Sequence, residues 1–273
     1  MTSRRRGESK TPRAGIFRSH RCHSDTALLW LTITRPTSMI RKDILGVPMA
    51  DKTPVEIPFS QFEYTATFAR PMLALIGKFQ NVVAPFMEVL EAWGFDFEET
   101  EFQLASPKPR DHVITFHRPA TTPPPQVRVS VRWKSLTISA DQADWGETEQ
   151  LVGICESSLS TIKNVANVKV TSQQIVLHMH IQSKTTSRAD LGAVLLTPQA
   201  RELVDDGKIL GQGLILHRES AMILVDNSAA FANGLYVRIQ RAFGGEIPLH
   251  YIAERLLGDE QKLWAVLGLE GGL

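Results

Sequence analysis

Cysteine is nearly absent: Cys22 and Cys155 are the two in 273 residues, and they lie far apart in the chain. That spacing excludes a disulfide framework and suits a reducing cytoplasm. No apolar run reaches the about 18 residues a membrane-spanning helix needs, so no membrane partner is expected. There is no phosphate-cradling loop and no Gly-x-Ser-x-Gly nucleophile turn. Gly211-Gln-Gly213 precedes a strand-like run and has no third glycine, so it is no dinucleotide fingerprint. With these motifs missing, nothing in the chain calls for a cofactor.

Acidic residues are scarce in one place only. Residues 1–48 hold ten of the 30 Lys and Arg against Glu8, Asp25 and Asp43, leaving the rest of the chain mildly acidic. A mildly acidic body gives no electrostatic reason to expect nucleic acid; only the Arg-rich N-terminal segment could contact phosphates. A targeting peptide would share its composition, but the apolar stretch Ala27–Leu31 is short for a secretory signal. The segment reads most simply as a disordered basic extension, or as sequence ahead of a true start at Met49. His20, Cys22 and His23 are too crowded, without a second cluster, to argue for a metal.

From Val55 on, periodic patterns take over. The chain is organised around Val168–Gln182: Ile175, Leu177, Met179 and Ile181 alternate with Val176, His178, His180 and Gln182, the period of a half-buried strand. Upstream, Val55–Phe68 reads as a strand. A helix is expected to open at Pro71 and run to Gly94, kinked or split at Pro85. Phe97–Ala105, His112–His117 and Val127–Ile138 read as strands, interrupted by the Pro-rich stretch Pro119–Pro125, a stiff loop or a partner-docking segment. A helix over Glu147–Asn164 carries Cys155 on its apolar face, as an inert buried thiol. After the organising strand come an apolar run at Leu191–Leu196, a helix from Pro198 to about Val204, and strands at Leu214–His217, Ala221–Asp226 and Leu235–Gln240. The helical C-terminal tail is expected to break at Gly258.

The expected fold is therefore α+β, with mainly antiparallel sheet and packed helices. The order suggests two similar α+β halves, 49–140 and 141–273, behind the 1–48 extension.

One pair looks chemical. His178 and His180 project from the same strand face about 7 Å apart, a spacing that suits two metal ligands. His117, His217 and Glu219 are the candidates for a third. No acid follows the pair within a few residues, as metal-binding barrels with a strand His-x-His would require. Asp226-Asn-Ser228 reads first as turn chemistry.

The segments LILHRESAMILVD, GLYVRIQRAF and LLGDEQKLWAVLGLE, placed after WGFDFEET and the Arg-rich strand, resemble a sporadically distributed bacterial family of unassigned function. The resemblance covers about residues 55–273. It implies a bacterial cytoplasmic protein and transfers no site residues. The reading that follows is a non-catalytic binding or assembly module whose partner is another protein or a second copy of the chain. The alternative is a metal-assisted enzyme using His178 and His180.

Overall fold

The strand patterns become one large sheet. A computed structural model describes residues 53–75, 77–119, 126–183, 213–218 and 220–270. The strands are β1 (Thr53–Pro54), β2 (Glu56–Phe68), β3 (Glu101–Gln103), β4 (Val113–His117), β5 (Val127–Arg132), β6 (Ser135–Asp141), β7 (Val170–Gln182), β8 (Gly213–Arg218), β9 (Ala221–Asn227), β10 (Gly234–Gly244) and β11 (Leu269–Glu270). Nine of them form an antiparallel sheet in the order β3-β4-β5-β6-β2-β7-β10-β9-β8, while β1 and β11 pair in parallel as a separate ribbon. The helices are α1 (Gln80–Leu90), α2 (Thr148–Ala166) and α3 (Leu249–Leu267).

The α+β, mainly antiparallel reading holds. In each half the first strand, β2 or β7, pairs with the last strand of its meander, β6 or β10. The two first strands then pair with each other antiparallel, from Glu56↔Gln182 to Phe68↔Val170. Each half thus supplies one side of a continuous sheet.

Strand periodicity decides what each face buries. Leu177 lies between Phe62 and Ile239, and Met179 between Ser60 and Val237, on the face covered by the helices. Ile175, Leu177, Met179 and Ile181 are all buried there, as their alternation requires. The helices close the core with Phe86 stacked on Phe116, and with Ile154, Leu159, Ile252 and Leu256. Cys155 is buried beside a small cavity of about 30 Å³ between the sheet, α2 and α3; burial pushes its thiol pKa up, so it stays protonated and unreactive.

Three expectations are corrected. The helix expected from Pro71 starts only at Gln80: a short 3-10 turn, Leu73–Leu75, comes first, and Gly77 at φ +72° interrupts the chain in a left-handed conformation no helix continues through. Pro85 lies inside α1, so the division falls at Gly77 and not at the proline. Leu73, in the stretch expected to be helical, is 68% exposed. Phe97–Ala105 is a strand only over Glu101–Gln103, because Asp96 accepts a hydrogen bond from the Glu98 amide and folds Phe97–Glu99 into a helical turn. Finally, α3 runs unbroken through Gly258, where the glycine costs about 1 kcal/mol and packing on both sides outweighs it. The helix expected from Pro198 to Val204, the run at Leu191–Leu196, the 1–48 extension and most of Pro119–Pro125 lie outside the described residues.

Buried polar groups tie α3 to the sheet. Arg241, on the core side of β10, pairs with Asp259, both about 5% exposed, and its guanidinium also reaches the Ser220 hydroxyl at 3.2 Å. Glu260 accepts from the indole N–H groups of Trp145 and Trp264. Gln173 donates to the Tyr64 hydroxyl at 2.8 Å and accepts from the Ile247 amide.

Candidate functional site

Among the described residues, no helix covers the second face of the sheet. Its centre is a belt of register partners: Phe59, His180 and Tyr236 in one row, and Gln61, His178 and Arg238 in the next. The two candidate ligands do share this face, as the sequence predicts. They are not exposed surface histidines, however: both are half-buried and both are engaged.

The bonds at His180 fix its tautomer. Its Nδ1 lies 2.7 Å from the Ser228 hydroxyl, and that oxygen already accepts the Phe231 amide at 2.9 Å and the Ala230 amide at 3.2 Å. A hydroxyl has one proton and two lone pairs. With both lone pairs engaged, Ser228 donates its proton to an unprotonated Nδ1. The neutral ring then carries its own proton on Nε2, and neither nitrogen has a free lone pair to offer a metal. Asp226-Asn-Ser228 is turn chemistry, as read from the sequence: the Asp226 carboxylate accepts the Asn227 amide at 2.7 Å, and Ser228 organises the bend that follows.

Aromatic rings enclose the same imidazole. Phe59, Phe231 and Tyr236 have ring centroids 5.7, 5.5 and 5.3 Å from that of His180. His178 bonds through Nδ1 to the Tyr236 hydroxyl at 2.5 Å. Burial lowers the pKa of both histidines; at His178 the Arg238 guanidinium and then His180 add to the effect. Burial raises the Tyr236 pKa, so its phenol stays neutral. Arg238 bonds to Gln240 at 2.7 Å, and its charge beside His178 also disfavours a bound cation.

The third-ligand candidates do not join the pair. His117 is on β4, four strands from β7, or roughly 19 Å at the usual strand spacing. It lies instead 3.5 Å from Glu101. β8, which carries His217, is three strands away on the other side, roughly 14 Å; the His217 side chain and Glu219 lie outside the described residues. No group of three His, Cys, Asp or Glu side chains that could hold a metal occurs among the described residues. The belt presents hydrogen-bonding groups, aromatic edges and the charged Arg238 on one face of the sheet.

Sequence reasoning missed the buried anchors Arg241, Asp259, Glu260 and Gln173, although the signal was there. Arg241 shares the parity of Leu235, Val237 and Ile239, and Gln173 that of Ile175 and Leu177. Asp259 falls on the α3 stripe with Ile252, Leu256 and Leu263. A polar residue on an apolar parity is either a mistake in register or a buried partner. No protein-family model and no curated protein sequence matches the chain.

Proposed function

We propose that this protein is a non-catalytic binding or assembly module whose partner is another protein or a second copy of itself. The observation that carries this reading is the bonding of the His178 and His180 belt: its Nδ1 atoms are spent on Tyr236 and Ser228, within a ring of aromatic side chains. A reactive centre needs a nucleophile, base or metal with free valences; here the Nδ1 atoms of both imidazoles are already engaged, and the charged Arg238 beside His178 disfavours a cation. No described helix is long and apolar enough to cross a membrane. The resemblance over residues 55–273 adds the proposal of a bacterial cytoplasmic protein, and nucleic acid enters only through the basic residues 1–48.

The test is capture from the native host combined with sedimentation. The reading expects either a protein recovered near one-to-one with the chain or reversible self-association. A chain that stays monomeric at all concentrations and brings down no stoichiometric companion contradicts it.

A further inference from the structure

We infer that the open edge of the sheet at β3 docks a basic, extended segment of a partner protein. This rests on the binding-module reading and assigns it a surface. β3 is the end of the sheet: it pairs with β4 through Glu101↔Thr115, Phe102↔Ile114 and Gln103↔Val113, and no described strand lies on its other side. An edge of this kind presents unpaired backbone amides and carbonyls to which a further strand can add.

Two features give that edge a preference. The first is apolar. Phe97 and Phe102 are 54% and 40% exposed, the two exposed phenylalanines among the described residues. They form one connected strip, with ring centroids 6.3 Å apart and Phe79 a further 5.7 Å from Phe102. The second is charge. Glu88, Glu91, Asp96, Glu98, Glu99 and Glu101 are all exposed, and from Phe79 to Pro107 the chain has no Lys, Arg or His. Of these acids only Glu101 makes a described ion pair, with His117. A hollow of about 400 Å³ beside the edge is of mixed charge, lined by Glu98, Glu99 and Glu101 together with His117, Arg118 and Arg128, so the preference for a basic segment rests on the run of exposed acids and not on the hollow.

Edge strands are commonly kept short and charged to prevent pairing, and β3 is both. That device does not account for two phenylalanines left in water beside it. A partner strand that covered them with an apolar side chain, while setting Lys or Arg against the acids, would satisfy both features together. The backbone ladder and the covered rings would supply affinity, while the exposed acids select the sign of the partner and speed encounter.

The test titrates the full-length protein with two labelled short peptides, one alternating lysine and valine, the other glutamate and valine. The basic peptide is expected to bind, more weakly as salt rises, and to slow amide exchange over Glu101–Gln103. Phe97→Ser/Phe102→Ser and, separately, Glu98→Lys/Glu99→Lys should each weaken it by about tenfold. All four positions are exposed, and unchanged circular dichroism checks that the variants fold. Equal binding of both peptides, binding by neither, or basic-peptide affinity unchanged in the folded variants overturns the assignment. The two claims separate in the capture experiment. A stoichiometric partner retained by Phe97→Ser/Phe102→Ser removes the edge and leaves the module standing, whereas a chain without partner or self-association removes the module itself.

Discussion

At the scale of single residues, β7 divides its work between two faces. Leu177 is 2% exposed and sits over the small cavity at α2 and α3. Leu177→Ala should cost about 2–5 kcal/mol in denaturant unfolding, since a packed core does not close around the lost volume. His180→Ala should cost less, about 1 kcal/mol, through the Ser228 bond it abandons. A histidine change costing more than the leucine change would mean the faces are assigned the wrong way round. Acid should also act through this pair. Both histidines hold their protons less readily in the folded state, so below the unfolded value of about 6.5 the unfolded chain binds more protons and stability falls with pH. Above that value the contribution is fully present. The loss of unfolding midpoint between about pH 7 and about pH 5 should therefore be smaller in His178→Gln/His180→Gln than in the native chain; an equal loss would mean that neither imidazole is linked to folding. The alternation of Ile175 to Ile181 was legible because it is local. The bonding of the histidines was not, because Tyr236 and Ser228 arrive from 58 and 48 residues away.

Elements are held together by a few specific contacts. Asp259 of α3 meets Arg241 of β10 out of water. Asp259→Ala removes a buried carboxylate from the Arg241 guanidinium and should cost about 3–5 kcal/mol in thermal or urea unfolding, whereas Arg241→Met/Asp259→Leu should recover most of it. A single variant as stable as the native chain would show that solvent reaches the pair. The 3-10 turn Glu91–Trp93 that follows α1 meets α2 differently: a Cβ on Gly153 would come within 2.6 Å of the Trp93 ring. Gly153→Ala therefore trades its gain in helix propensity for a clash, and should destabilise by about 1–3 kcal/mol. A melting temperature equal to or above that of the native chain would contradict that packing. Helix breaks were the least legible feature at this scale. Pro85 and Gly258 look like interruptions in the sequence, yet both lie within helices, because burial of Phe86, Leu256 and Leu263 around them outweighs one missing bond or one flexible residue.

For the whole body, the decisive contact is β2 against β7. Pattern alone revealed strands, helices and an α+β class, but not that β2 and β7 pair. No local signal carries a match such as Phe62↔Leu177, more than a hundred residues apart. This pairing makes one sheet of two meanders, and the parallel β1–β11 ribbon joins the first described residues to the last. The described body should accordingly unfold in one step, with far-ultraviolet and tryptophan signals coincident; separated transitions would mean the halves fold independently. The binding reading and its metal-assisted alternative part at His178 and His180, and metal analysis of the protein purified without a histidine tag tests that difference most directly. The account predicts far less than one equivalent of zinc, iron or manganese, unchanged in His178→Ala/His180→Ala. One equivalent in the native protein, lost in the double variant, would contradict it.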